Sequence, residues 1–155
     1  MIKYVGYDIV FSEVPNETTL AFNISNCPNR CVGCHSPYLM DDIGEYLNQA
    51  VLQELLLKYK NNITCVCFMG GDAFVREIEQ LAIYLNNQNI FPVKIAWYSG
   101  KETLPEDFPL KYFNYIKLGG YKKELGGLKS KQTNQKLYRI NKGEELVDIT
   151  YYFWD

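Results

Sequence analysis

The sequence predicts an α/β fold: an incomplete, open (β/α) barrel of about five to six mostly parallel strands. Two observations lead to this prediction. Apolar segments typical of strands alternate with segments of helical periodicity, an order typical of βαβ units. The chain also has only 155 residues, whereas a closed eight-stranded (β/α) barrel needs about 250. We therefore expect one domain, spanning residues 1–155.

The first part of the chain is predicted to contain two strands and a cysteine-rich loop. Residues 2–11 and 18–25 are rich in β-branched and aromatic residues, which favour strands. A Val-Pro-Asn-Glu turn at residues 14–17 separates them. Residues 26–40 contain two prolines, one glycine and three cysteines, and we expect a loop there.

Helices and strands alternate along the rest of the chain. Apolar residues between positions 42 and 59 recur at helical spacing, with Asp41 or Asp42 as the N-cap. A second helical pattern covers residues 75–85. Short apolar segments predict further strands at residues 63–69, 93–98, 112–118 and 147–154.

Two conspicuous loops follow predicted strands. The cysteine-rich loop comes after the strand at 18–25, and Gly70-Gly71-Asp72 comes directly after the strand at 63–69. The carboxyl ends of parallel strands meet at one edge of a sheet, where the active sites of such folds lie. We therefore expect both loops to contribute to one site.

The cysteine-rich loop has the spacing of a metal site, Cys27-Pro-Asn-Arg-Cys31-Val-Gly-Cys34-His35. Three thiolates can hold three irons of a 4Fe–4S cluster, because each iron needs one protein ligand besides the sulfides. The fourth iron then keeps an open coordination position for chemistry.

Other interpretations of the cysteines remain open. A zinc site would use His35 as the fourth ligand, although adjacent residues rarely reach one metal. Cys31 and Cys34 also form a CxxC pair of the thioredoxin type, which leaves Cys27 without a role. Cys65 and Cys67 alternate on a predicted strand, and we expect both to be core residues.

The composition is that of a globular protein, with 47% hydrophobic and 22% charged residues. No apolar segment approaches the roughly 18 residues of a membrane span, and no signal peptide is recognisable, so we expect a cytoplasmic protein. The charge is unevenly distributed: residues 109–142 carry +8 and the rest of the chain −10. This basic segment is interpreted either as a solvated loop or as a docking surface. No nucleic-acid-binding motif accompanies it.

A CxxxCxxC loop followed by a Gly-Gly-acid turn is specific to the radical S-adenosylmethionine superfamily, which this chain resembles. More narrowly, it resembles the family of activating proteins of anaerobic ribonucleoside-triphosphate reductases. Short segments nearly from end to end carry the narrower resemblance: Asp8-Ile-Val-Phe11, Glu13-Val-Pro15, Asn23-Ile-Ser25, Ala96-Trp-Tyr-Ser-Gly100, Tyr115-Ile-Lys117, Thr133-Asn-Gln135, Ile149-Thr-Tyr151 and Phe153-Trp154.

The resemblance implies a radical S-adenosylmethionine type of barrel and two cofactors, a 4Fe–4S cluster and S-adenosylmethionine. It implies three cluster ligands: Cys27, Cys31 and Cys34. It implies a cofactor pocket to which four further residues contribute: Gly70, Gly71, Asp72 and Asn134. Two of these residues, and His35 beside Cys34, have an alternative role. Asp72 is also a candidate N-cap of the helix at 75–85, Asn134 a candidate turn residue, and His35 either a neighbour of the cluster or a packed side chain.

The resemblance also implies an activity and its partners. Reductive cleavage of S-adenosylmethionine would give a 5′-deoxyadenosyl radical, which takes a hydrogen atom from a glycine of the reductase large subunit. A low-potential electron donor is the second partner; no membrane and no nucleic acid are expected. Relatives often have an acid at Asn114 and an arginine at Lys136, so no cofactor contact is carried over there. The alternatives are a pyruvate formate-lyase-type activase, a small-molecule radical enzyme and a zinc-binding module.

Overall fold

The computed structural model describes residues 1–29 and 36–154, and its described residues form one mixed sheet of eight strands with two α-helices. The strands follow the order β3-β1-β2-β4-β5-β6-β7-β8 across the sheet. Their bounds are β1 Lys3–Val10, β2 Thr19–Ile24, β3 Glu45–Tyr46, β4 Cys65–Met69, β5 Lys94–Tyr98, β6 Tyr115–Leu118, β7 Lys136–Ile140 and β8 Leu146–Asp148. The helices are α1 Gln49–Lys58 and α2 Val75–Asn87.

The centre of the sheet is parallel and its margins are antiparallel. Strands β2, β4, β5 and β6 run parallel in that order, with Ala21 beside Cys67 and Cys67 beside Ala96. At one margin β1 and β3 are antiparallel additions, and at the other β7 and β8 are. The carboxyl ends of the four central strands therefore share one edge, which we call the carboxyl edge.

The prediction of an open (β/α) barrel of mostly parallel strands was wrong. Barrel strands are parallel throughout and need a crossover after each strand, usually a helix of a dozen or more residues. Strands β1 and β2 are joined by only eight residues, 11–18, which favours an antiparallel neighbour. The β5–β6 connection contains only a short 3₁₀ helix, Leu110–Tyr112, and β7 returns antiparallel to β6. The result is a sheet with antiparallel margins.

The second half of the predicted helix at 42–59 is correct, but its start was wrong. Helix α1 begins at Gln49, and its N-cap is Asn48, whose side chain accepts a hydrogen bond from the Val51 amide at 3.0 Å. Residues 45–46 instead form β3 beside β1. An asparagine cap satisfies an otherwise unpaired helix amide, which explains why the helix starts here.

Helix α2 and the central strands agree with the patterns found in the sequence. Both helices pack on one face of the sheet, where Phe22, Phe68 and Trp97 form a continuous layer. The opposite face carries the small residues Ala21 and Ala96, together with Cys65 and Cys67.

Cys65 and Cys67 are core residues, as expected, and both are fully buried. Burial raises the pKa of Cys65 to about 12 and raises the pKa of Cys67 well above its usual value. Both thiols are therefore protonated and unreactive near neutral pH.

The C-terminal segment was predicted as one strand at 147–154, and only its start is one. Strand β8 pairs with β7, and a 3₁₀ helix, Thr150–Phe153, then turns back across the sheet. Among the residues that the structure describes, no helix has the length and apolar character needed to cross a membrane.

Candidate functional site

The carboxyl edge is lined by the turns that follow the four parallel strands. After β2 comes the cysteine-rich loop, after β4 the Gly70-Gly71-Asp72 turn, after β5 Ser99 and Gly100, and after β6 a second glycine pair. The sequence prediction that the first two turns meet at one edge is therefore confirmed, although the sheet around them is mixed.

Backbone hydrogen bonds hold the start of the cysteine-rich loop in place. The amide of Asn26 donates to the Asp41 carbonyl at 2.9 Å, and the amide of Cys27 donates to the Leu39 carbonyl at 2.8 Å. The hydroxyl of Ser25 donates to the Ile43 carbonyl at 2.6 Å. These bonds explain why residues 42–43 do not enter a helix, and they leave the Cys27 thiol half-buried at the carboxyl edge.

The predicted ligands Cys31 and Cys34, together with His35, lie outside the described residues. Within the described ranges, no group of three or more His, Cys, Asp or Glu side chains is arranged to hold a metal ion. Cys27 is therefore the predicted ligand whose surroundings can be described.

Asp72 binds several donors of the neighbouring turns. Its Oδ1 accepts a hydrogen bond from the Ser99 hydroxyl at 2.5 Å. Its Oδ2 accepts from the Gly100 amide at 2.8 Å and from the Asn29 side-chain amide at 2.6 Å. The same Asn29 nitrogen lies 3.6 Å from the Cys27 sulfur. Asn29 therefore connects a predicted cluster ligand to the Gly-Gly-Asp turn.

The alternative of Asp72 as an N-cap of α2 was wrong. The N-cap position is occupied by Phe74, and no side chain caps the helix there. The Asp72 carboxylate is directed to the β5 turn and the cysteine-rich loop instead.

Gly70 and Gly71 adopt backbone conformations that side chains disfavour. Their φ angles are +113° and +96°, in the region that suits glycine. A Cβ at Gly71 would lie 2.8 Å from the Ile78 Cδ1 atom. The Gly70 carbonyl accepts a hydrogen bond from the Trp97 indole at 2.7 Å. The glycines thus allow a tight turn against the core, and this turn directs Asp72 along the edge.

Lys117 is a buried cation at the carboxyl edge that sequence reasoning did not select as a site residue. Its ammonium donates to the carbonyls of Ser99 at 2.9 Å and Gly119 at 3.0 Å, and it lies 5.7 Å from the centroid of the Tyr98 ring. The residue is 9% exposed. A lysine inside the otherwise apolar strand Tyr-Ile-Lys-Leu was the signal that could have identified it, since lysine is seldom buried without a role.

Asn134 lies on the far side of this edge, beyond β6. Its amide nitrogen donates to the Gly120 carbonyl and to the Glu102 carboxylate, both at 3.0 Å. Its Oδ1 is buried, and no described residue donates a hydrogen bond to it. A buried acceptor without a donor is costly, so this atom is a candidate contact for a ligand.

Asn114 and Lys136, the two positions that depart from the pattern of the resembled family, have their polar contacts away from the Asp72 cluster. Asn114 accepts a hydrogen bond from the Ile95 amide at 2.8 Å, near the amino ends of the parallel strands. Lys136 is 4.0 Å from the Asp148 carboxylate on β8.

A second polar cluster lies at the amino ends of the parallel strands, opposite the carboxyl edge. The buried Glu17 carboxylate accepts hydrogen bonds from Thr64 at 2.7 Å, Lys94 at 2.9 Å and Tyr115 at 2.6 Å. Burial raises the pKa of Glu17, but the three hydrogen bonds and the Lys94 charge outweigh it, so the pKa lies below its usual value. Burial and the bond to Glu17 raise the pKa of Tyr115.

The basic segment 109–142 is only partly a surface feature. Lys117 is buried within it, whereas Lys122, Lys123 and Lys129 are exposed. Lys129 also borders a cavity of about 410 Å³ on the helix-free face, between Tyr98 and Phe153.

Comparison with known protein families, with curated proteins and with solved structures found no match for this chain. The described part of the carboxyl edge offers three groups to a ligand: a half-buried thiol with an amide N–H directed at its sulfur, a buried ammonium, and a buried amide oxygen that no described residue satisfies.

Proposed function

We propose that the chain is a radical S-adenosylmethionine enzyme that generates the glycyl radical of an anaerobic ribonucleotide reductase. The observation that carries the proposal is the contact of Asn29 with both Cys27 and Asp72. These residues belong to two separate sequence motifs, and Asn29 and Asp72 are 43 positions apart in the chain. Their meeting at the carboxyl edge supports a single site made from both.

In this proposal Cys27, Cys31 and Cys34 hold a 4Fe–4S cluster and leave one iron open to S-adenosylmethionine. The bound pair supplies one-electron cleavage of a sulfonium and the abstraction of a hydrogen atom from glycine. The protein has to bind and orient the cofactor and to exclude competing hydrogen donors. No acid–base pair is required for that task, and the buried thiols of Cys65 and Cys67 take no part in it.

Two groups suit the amino-acid end of the cofactor. The buried ammonium of Lys117 suits a carboxylate, because charge-assisted hydrogen bonds are strong where water is excluded. The Oδ1 of Asn134, to which no described residue donates, suits a donor group. Both side chains also bond the turn that follows β6, through the carbonyls of Gly119 and Gly120.

The protein substrate in this proposal is a loop of the reductase large subunit, and a low-potential protein or reductant supplies the electron. The exposed lysines of the basic segment are the candidate docking surface, since a positive surface attracts an acidic partner.

Anaerobic purification tests the proposal in two stages. First, the protein should be brown, hold about four irons per chain, and convert S-adenosylmethionine to methionine and 5′-deoxyadenosine when a strong reductant is added. A colourless protein that binds zinc would overturn the proposal.

Second, mixing the reduced protein with the reductase and S-adenosylmethionine should give the doublet EPR signal of a glycyl radical. Cofactor cleavage without that signal would overturn the assignment of the reductase as substrate. It would favour another radical enzyme, such as a pyruvate formate-lyase-type activase, which is tested by exchanging the partner protein.

A further inference from the structure

We propose that Asn29 and Asp72 form a positioning pair that orients the Cys27 thiolate and directs an amide N–H at its sulfur. This inference rests on the proposed iron–sulfur function. It assigns a role to Asn29, which lies between two of the predicted ligands.

The geometry of the Asn29 amide supports two simultaneous hydrogen bonds. Its Nδ2 atom carries two hydrogens. The nitrogen lies 2.6 Å from the Asp72 Oδ2 atom and 3.6 Å from the Cys27 sulfur. The short contact with a carboxylate holds the amide in one orientation, so the second hydrogen points at the sulfur.

Asp72 is itself held in place from two sides. The Ser99 hydroxyl donates to Oδ1 and the Gly100 amide donates to Oδ2. Because Oδ2 already accepts two hydrogen bonds, a cofactor ammonium would have to use the remaining lone pair of Oδ1. Asp72 can therefore position Asn29 and still serve the cofactor pocket.

Gly100 leaves the space that the Asn29 amide occupies. A Cβ at this position would overlap the Asn29 amide nitrogen and would lie 3.4 Å from Asp72 Oδ2. Glycine here is therefore a requirement of the pair, and Gly100→Ala displaces the amide without altering either partner.

Hydrogen bonds to the sulfurs are among the determinants of cluster potential. An N–H directed at a ligand sulfur stabilises the more negative, reduced cluster, so its loss makes the reduction potential more negative. Groups that orient a ligand also affect metal retention, and their loss typically costs about 10–100-fold in affinity.

The experiment uses the full chain, reconstituted with iron and sulfide under anaerobic conditions. It compares wild type with Asn29→Ala, Asp72→Asn, Gly100→Ala and the swapped double variant Asn29→Asp/Asp72→Asn. Asn89→Ala, at an exposed asparagine after α2, is the matched control. Two quantities are measured: the rate at which a chelator removes iron, and the reduction potential from an EPR-monitored titration.

Asn29→Ala and Gly100→Ala should both release iron at least about tenfold faster and shift the potential to more negative values. Asp72→Asn should release iron faster, because a neutral amide oxygen binds the Asn29 and Gly100 donors less strongly than a carboxylate does. The swapped variant should recover iron retention in part, since a carboxylate at 29 accepts from an amide at 72. It should keep the negative potential, since position 29 then has no donor for the sulfur.

Unchanged iron release in Asn29→Ala and Gly100→Ala would overturn the inference, as would a potential in Asn29→Ala equal to that of wild type. No gain of iron retention in the swapped variant over Asp72→Asn alone would overturn the pairing. A wild-type protein that takes up no iron would instead overturn the proposed function itself, so the two failures are distinguishable. If Asn29→Ala does not fold, Gly100→Ala tests the same displacement.

Discussion

Removal of the Glu17 carboxylate is expected to be the most destabilising change at the amino ends of the parallel strands. The Glu17 side chain is 4% exposed and accepts three hydrogen bonds. Glu17→Ala leaves these donors without their acceptor, and the cost depends on which of them water can reach.

The three donors differ in exposure, and this sets the magnitude. The Tyr115 hydroxyl is buried, and a buried donor left unpaired costs about 1–3 kcal/mol. The Lys94 side chain is 53% exposed, so its ion pair adds only about 0–1 kcal/mol. Thr64 is exposed and can bind water. We expect a total loss of roughly 1–4 kcal/mol, out of the ~5–15 kcal/mol typical of a domain.

Urea unfolding at pH 7, followed by tryptophan fluorescence, measures this loss. With a slope of about 2 kcal/mol per molar urea, the midpoint should fall by roughly 0.5–2 M. Glu106→Ala, at an exposed carboxylate, is the matched control and should shift it little. A shift in Glu17→Ala no larger than that of the control would refute the reasoning.

The Glu17 carboxylate also makes the free energy of unfolding depend on pH, and the direction follows from its pKa. The pKa of Glu17 is lower in the folded than in the unfolded protein. Its ionised form therefore stabilises the fold above the unfolded pKa, and this contribution is lost as the pH falls through the folded pKa. The stability difference between wild type and Glu17→Gln should accordingly shrink in acid; a constant difference down to the folded pKa would contradict the assignment.

Three further outcomes are expected. Lys117→Met should weaken S-adenosylmethionine binding, because the ammonium suits the cofactor carboxylate. Iron content should be unchanged, because Lys117 is not an iron ligand. Calorimetry on the reconstituted protein measures the affinity, and an unchanged affinity would exclude this role. Gly71→Ala should lower the free energy of unfolding by about 1–3 kcal/mol, because the φ at position 71 is +96° and the added Cβ would meet Ile78. A urea midpoint equal to that of wild type would show that the turn relaxes at no cost. Charge reversal to Glu at Lys122, Lys123 and Lys129 should reduce the glycyl-radical yield at limiting reductase and leave cofactor cleavage unchanged. An unchanged yield would contradict the docking role.

Much of the secondary structure could be predicted because hydrophobic periodicity is a local property. Strands β1, β2, β4, β5 and β6 and helix α2 lie where the residue patterns indicated. The start of α1 could not be predicted in this way. The apolar residues at 43 and 47 fit a helical period, but the Ser25 hydroxyl and strand β1 bind the backbone of residues 43–46 from a distance along the chain.

The barrel prediction failed because strand direction is not a local property. The same apolar strand pattern suits a parallel or an antiparallel neighbour, and the connection decides between them. Strand β7 lies in the basic segment, where charged residues such as Arg139 hide the pattern of a marginal strand, and β8 matches only the start of the strand predicted at 147–154. They close the sheet with antiparallel partners where a barrel would continue.

The sequence by itself determined the candidates for the proposed chemistry: the three cysteines of CxxxCxxC and the Gly-Gly-Asp turn, each placed after an apolar strand. It also determined that the two motifs share an edge, because consecutive parallel strands point the same way. Only the tertiary structure decided which side chains contact one another at the carboxyl edge. The bond from Asn29 to Asp72 spans 43 residues, and the burial of Lys117 depends on strands on both sides of it. Such contacts arise from packing between distant segments, which no local pattern of residues encodes.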